Sequence, residues 1–164
     1  MSDGIRILVD ADACPVKEEI YKVAFRHKVP VTIVSNSPIR VPDHPLVSRM
    51  LVSDAFDAAD DCIVAGCKPG CVVITADILL ADRCLKLGGS VLGPNGRPFT
   101  HNSIGGAIAT RAIKADLRAG GEAMLSGAGG GPPPFSKQDR SRFLSALDEL
   151  LVRLRRAPPS IPRA

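Results

Sequence analysis

The chain has 164 residues, 45% of them hydrophobic and 23% charged, which fits one domain with one buried core and excludes disorder of the whole. No apolar run approaches the ~20 residues needed to cross a bilayer, and Met1-Ser2-Asp3-Gly4 has neither the basic segment nor the apolar stretch of a secretory signal, so a cytoplasmic protein with no membrane partner is expected. The net charge of +4 is unevenly placed: residues 1–102 hold 11 Lys/Arg against 12 Asp/Glu, and from Ser103 onward the balance is 10 against 5. Such a basic half suits an anionic polymer, although a solvated helix face would look the same.

In chain order, Ile5-Arg6-Ile7-Leu8-Val9 is an apolar run ending at Asp10, the pattern of a buried strand. A helix is expected to open at Cys14-Pro15, with Glu18 and Glu19 in its positive first turn, and to run to about Lys28 before Pro30. Val31–Val34 reads as a second strand and Arg49–Val52 as a third, separated by a Pro-rich connection from Arg40 to Pro45. A helix from Phe56 to about Ala65 carries Asp57, Asp60 and Asp61 and closes at Gly66. Cys71–Thr75 is a fourth strand, Ile78–Leu87 a helix capped by Gly88-Gly89, and Ser90–Leu92 a fifth strand before the Pro94-Asn95-Gly96 turn.

Asn102 or Ser103 is expected to cap a helix running to about Arg118. Residues 126–134 are a Gly/Pro-rich linker, and Ser136-Lys137-Gln138-Asp139 is a capping box. The helix after it carries Phe143, Leu147, Leu150, Leu151 and Leu154 on one stripe that must dock on something. Alternating strands and helices imply a three-layer α/β/α fold with a parallel sheet of four or five strands and a docked C-terminal helix.

Five cysteines, an odd number, point to reduced thiols; Cys62, Cys67 and Cys71 lack CxxC spacing and a nearby His, which favours burial over metal ligation. Cys14, at a helix start, is likewise read as packing beside the Asp10 loop rather than as a reactive thiol. His27, His44 and His101 form no ligand spacing and are read as structural or surface residues.

The acids are placed differently. Ligands of open parallel sheets bind beyond the carboxyl ends of the strands, and there the chain puts Asp10 and Asp12, Asp54, and Asp77, with Asp57, Asp60, Asp61 and Asp82 on the helices that follow. Two unit charges ~4 Å apart repel by roughly 4 kcal/mol at an effective dielectric of ~20, so a cluster needs protons, Lys/Arg partners or a cation. Hard Mg²⁺ and Mn²⁺ favour such oxygens. Each acid also has a plainer reading: Asp12, Asp54 and Asp77 as helix caps, Asp57 in a favourable first turn, Asp82 paired with Lys86 at i, i+4, and one of Asp60 and Asp61 facing solvent.

Val9-Asp10-Ala11-Asp12-Ala13-Cys14-Pro15-Val16-Lys17 resembles the opening signature of the YaiI/YqxD family of uncharacterised bacterial proteins. Residues 58–63, 74–81 and 99–104 resemble its later motifs, and the segment from Phe135 its closing helix. That family is similar to PIN-like nuclease domains, which hold Mg²⁺ or Mn²⁺ on a few acids and cut RNA or DNA. The resemblance implies a PIN-like α/β domain over 1–125, the linker 126–134, a helix over 135–157 packing on the same domain, and a tail over 158–164. It assigns Asp10, Asp61 and Asp77 as catalytic acids with Asp82 as a fourth, and Asp10, Asp12, Asp60, Asp61 and Asp77 as metal ligands. Leu79 stands where many relatives would carry Pro.

The expected function is therefore metal-dependent phosphodiester hydrolysis, RNA favoured over DNA, with Lys17, Arg111, Lys114 and Arg118 holding phosphates. A non-catalytic RNA-binding module is the alternative. A haloacid-dehalogenase-like phosphatase is a further one, suggested by Asp10-Ala11-Asp12 but opposed by a helix where such enzymes place a flap hairpin. A homodimer is compatible with the sequence.

Overall fold

The computed structural model describes residues 4–11, 14–55, 57–105 and 135–156. Six strands form one sheet: β1 (Arg6–Asp10), β2 (Val31–Ser35), β3 (Val47–Leu51), β4 (Cys71–Ile74), β5 (Ser90–Leu92) and β6 (Pro98–Phe99). Their order is β3-β2-β1-β4-β5-β6, all parallel except the β5–β6 pair. The helices with full bounds are α1 (Lys17–His27), α2 (Ala58–Gly66), α3 (Ile78–Lys86) and α4 (Lys137–Arg156); residues 101–105 are also helical.

Strand alternation splits the apolar residues between two cores, which makes the fold three-layered. Ile7, Val9, Val31, Ile33, Val72 and Ile74 face one side, with Ile20 and Val23 of α1 and Phe143, Leu147 and Leu151 of α4. Leu8, Val34 and Val73 face the other, with Ile63 of α2 and Leu80, Ala81 and Cys84 of α3. The continuous apolar runs of β1 and β4 follow from burial on both faces.

α4 docks where its stripe requires. Phe143, Leu147 and Leu151 are fully buried, and Leu150 and Leu154 pack at the margin. Polar contacts tie it to α1: Arg140 Nη1 donates to the Pro15 carbonyl at 2.7 Å, His27 Nε2 lies 2.7 Å from Asp148 Oδ1, and Arg155 donates to the His27 carbonyl. Its capping box forms, with Asp139 N donating to Ser136 Oγ at 3.1 Å and Ser136 N to Asp139 Oδ2 at 3.0 Å.

Several boundaries differ from expectation. α1 opens at Lys17, because Pro15 and the buried Val16 form a turn before it. β3 starts two residues early, and β6 adds a sixth, antiparallel strand after the Gly96 turn. Thr100, not Asn102 or Ser103, caps the next helix: Ser103 N donates to Thr100 Oγ1 at 3.1 Å and Thr100 N to Ser103 Oγ at 2.9 Å. The further course of that helix, the 126–134 linker and the 158–164 tail lie outside the described residues. All five cysteines are free, and Cys14, Cys67, Cys71 and Cys84 are buried. No described helix is long and apolar enough to cross a membrane.

Candidate functional site

The strand order reverses between β1 and β4, since the chain leaves β1 for β2 on one side and reaches β4 on the other. Ligand crevices of open α/β sheets form at this kind of switch point, beyond the strands' carboxyl ends. Asp10 closes β1 there, and Thr75, Ala76 and Asp77 follow β4 beside it.

Thr75 joins the two acids. Its hydroxyl is buried, donates to Asp10 Oδ2 at 2.9 Å, and accepts the Asp77 amide at 3.0 Å. Because Oγ1 accepts the amide hydrogen, its own hydrogen goes to the Asp10 carboxylate. Asp77 then caps α3: Oδ1 accepts the Leu79 and Leu80 amides at 2.9 and 3.2 Å. The plain reading of Asp77 as a cap holds, and the cap keeps it at the sheet edge.

A cavity of about 300 Å³ lies on the β2–β3 side of this edge, lined by Asp10, Asn36, Ser53, Asp54, Asp57 and Asp60 among others. Asp57 precedes α2 in the left-handed conformation, φ 64°, and makes no side-chain cap bond. Asp tolerates that backbone better than most residues. Asp60 lies one turn before the fully buried Ile63 and so shares the inward side of α2. Partial burial, then the charges of Asp77, Asp10 and Asp57, push the Asp60 carboxyl up to about 6, with Arg83 opposing.

Of the acidic pair on α2, Asp60 meets the cluster and Asp61 does not. Asp61 is turned outward, 64% exposed at its side chain, and pairs with Arg83 Nη2 at 3.0 Å. The resemblance puts the central acid at Asp61 with Asp60 beside it; the fold turns Asp60 to the cluster and Asp61 away from it, because adjacent helical residues point ~100° apart. Asp82 also stays away from the cluster, paired with Lys86 at 2.9 Å. Lys17 Nζ is engaged with the carbonyls of Cys14 and Ala11 at 3.3 and 3.5 Å, bracing the β1–α1 connection. Asp12, Arg111, Lys114 and Arg118 lie outside the described residues.

Sequence reasoning missed Thr75 and Arg83. A Thr two residues before a helix-capping Asp, at the end of a central strand, was the available signal for Thr75. Arg83 carries none, because its partner Asp61 is 22 residues away on another helix.

The donor set is all carboxylate, and partial burial, then the charges of its neighbours, raise the Asp60 proton affinity, so its chemistry suits a hard divalent cation. Among the described residues, no group of three or more His, Cys, Asp or Glu is close enough to hold an ion as the side chains stand.

Fold and site define a three-layer α/β/α domain with carboxylates gathered at its topological switch point. A profile described as "Uncharacterized BCR, YaiI/YqxD family" matches residues 8–153. A "UPF0178 protein" of Sphingopyxis alaskensis is 68% identical over 151 residues, covering 92% of this chain and 95% of the relative. Similar proteins of Jannaschia sp. (56% identical, 93% of this chain, 96% of the relative) and Rhodopseudomonas palustris (54%, 98% and 100%) carry the same description. The chain belongs to the YaiI/YqxD family. No solved structure matches it.

Proposed function

We propose that this protein is a PIN-like, divalent-metal-dependent nuclease that hydrolyses phosphodiester bonds, with RNA favoured over DNA. The observation that carries the reading is the placement of Asp10, Asp57, Asp60 and Asp77 at the switch point, where partial burial and then the charges of the other three push the Asp60 carboxyl up to about 6. Asp10, Asp60 and Asp77 are the residues to hold Mg²⁺ or Mn²⁺, with Asp57 beside them. Such an ion, when bound, supplies charge neutralisation for a phosphate and lowers the pKa of a bound water.

The chain's own groups fit that task. The Thr75 hydroxyl fixes one oxygen of Asp10, and the α3 amides fix one oxygen of Asp77, so neither carboxylate swings freely. Asp60, whose carboxyl holds its proton up to about pH 6, releases it when a cation takes the same oxygens. Asp61 and Asp82 are left to bind Arg83 and Lys86 at the rim.

The test is cleavage of labelled single-stranded RNA with Mn²⁺ by wild type and by D10N, D60N, D77N and D61N. Loss in the first three with D61N near wild type is expected. Equal rates in all five proteins would end the nuclease reading. Intact salt-sensitive RNA binding without any turnover would favour the non-catalytic module, a reading supported by the open spacing of the carboxylates. The phosphatase alternative gains nothing from the chain path, which enters α1 at Lys17 soon after β1.

A further inference from the structure

The Pro-rich connection between β2 and β3 builds a second concavity that the acidic cluster does not use. It has a volume of about 430 Å³ and is lined by Arg40, Asp43, His44 and Arg49, with Val41 and Val47 at its base. Arg40 and Arg49 are both exposed, and among the described residues neither has an ion pair, although Asp43 shares the cavity. Two exposed guanidinium groups lining one concavity raise its positive potential and attract an anion.

The cavity is also built to keep its shape. Arg49 Nη1 donates to the Ile39 carbonyl at 2.8 Å, which pins that guanidinium across the connection while leaving other N–H groups to donate. His44 Nδ1 accepts the Leu46 amide at 3.0 Å, and its ring stacks on Phe25 with centroids 4.1 Å apart. The neutral ring therefore carries its hydrogen on Nε2, a further donor.

Its position relates it to the acids. Arg49 stands in the edge strand β3, and four residues on the same chain reaches Ser53, which lines the acidic cavity. At a strand rise of ~3.3 Å per residue the two are at most ~13 Å apart. An extended polyanion lying against that exposed edge would meet both.

We infer that Arg40 and Arg49, with His44 beside them, form a phosphate-binding subsite for a single-stranded nucleic acid whose neighbouring segment reaches the acidic cavity. This rests on the nuclease reading for what happens at the acids, but the binding itself does not require cleavage. The two guanidinia take adjacent or bridged phosphate oxygens, a geometry suited to Arg. Asp43 limits affinity by repelling the same strand.

The experiment is fluorescence polarisation of the full chain with a fluorescein-labelled single-stranded RNA of about 12 nucleotides, without added divalent metal, over a salt series. R40Q/R49Q is expected to weaken binding about ten-fold or more and to flatten the salt slope by about 1 to 1.5, the contribution of two phosphates on a single strand. D43N is expected to tighten binding several-fold, a gain that misfolding does not produce. K68Q, which removes an exposed charge before β4 that does not line the cavity, serves as the matched control and should have little effect. The inference is overturned if wild type does not bind, if R40Q/R49Q behaves like K68Q, or if low millimolar inorganic phosphate displaces the RNA completely, which would assign a single small-anion site instead. Arg-dependent binding without Mn²⁺-dependent cleavage would leave this subsite standing and remove the nuclease reading. Cleavage with Arg-independent binding would do the reverse.

Discussion

The Thr75 hydroxyl and the Asp10 carboxylate, 65 residues apart in sequence, meet at 2.9 Å across the junction of the two central strands. The bond sets the rotamer of Asp10, and the same hydroxyl holds the amide of Asp77. T75V keeps the shape but removes the hydroxyl that Asp10 accepts from and that the Asp77 amide donates to. It should lower stability by about 1–3 kcal/mol in a urea titration and reduce any Mn²⁺-dependent cleavage, while T75S should restore both. A T75V protein matching wild type in both assays would show that the bond positions nothing.

Asp60 sets a pH dependence of its own. Folding raises its pKa from the ordinary carboxyl value to about 6, so the native state holds that proton more tightly than the unfolded chain. Its contribution is then a loss of stability as pH rises from about 4 to about 6, constant above that. D60N should remove this slope and stabilise the protein near neutral pH by on the order of 1 kcal/mol once solvent screening of a half-buried group is allowed for. Calorimetric titration with Mn²⁺ should show weaker binding at about pH 5 than at about pH 7.5, since proton and cation compete for the same oxygens. Binding indifferent to pH in that window would place the ion elsewhere.

Asp148 acts in the opposite sense. The His27 ring beside it, then the charge of His27 and of Arg26, hold its carboxyl below the usual range. Its stabilisation of the α4–α1 seam is therefore complete above the unfolded carboxyl value and is lost as pH falls through the lower folded one. D148N should flatten the acid limb of the stability curve, and D148A should cost roughly 1 kcal/mol, as expected for a half-exposed, charge-assisted contact. An acid limb identical in D148N and wild type would refute the assignment.

Gly96 lies directly against the backbone of α4. Its φ is +85°, and a Cβ there would stand 2.8 Å from backbone atoms of Arg142 and Phe143. G96A should therefore destabilise by about 1–3 kcal/mol, read as a lower urea midpoint. G105A, where a Cβ meets nothing within 4 Å, should cost little or add stability to its helix. Equal effects at the two positions would mean that α4 does not need the close approach.

How much of this was legible in the sequence depended on burial. β1, β2 and β4 are covered on both faces, so they read as apolar runs, and the docking stripe of α4 was visible from its period. β3 is an edge strand whose last four residues are exposed, so its start carried no apolar signal. β6 is two residues long and includes Pro98, too short to have a pattern. At the site, the carboxyl-edge placement of the acids followed from the strand ends. Which of Asp60 and Asp61 faces the cluster depends on the helical phase of α2, which the buried Ile63 reveals and the sequence pattern around the pair does not. Asp82 was read both as a ligand and as a partner of Lys86, and the ion pair is what the fold displays.

The seam between α1 and α4 also bears on how the molecule is made. All strands through β5 are complete by Leu92, yet Phe143, Leu147 and Leu151 cover the α1 side of the sheet from a helix that ends at Arg156. At ~5–20 residues per second, the ribosome needs several seconds to deliver those final turns. During that interval Ile20, Val23 and their neighbours lack the α4 side chains that cover them in the finished fold, and the nascent chain passes through a half-roofed state that its last helix resolves.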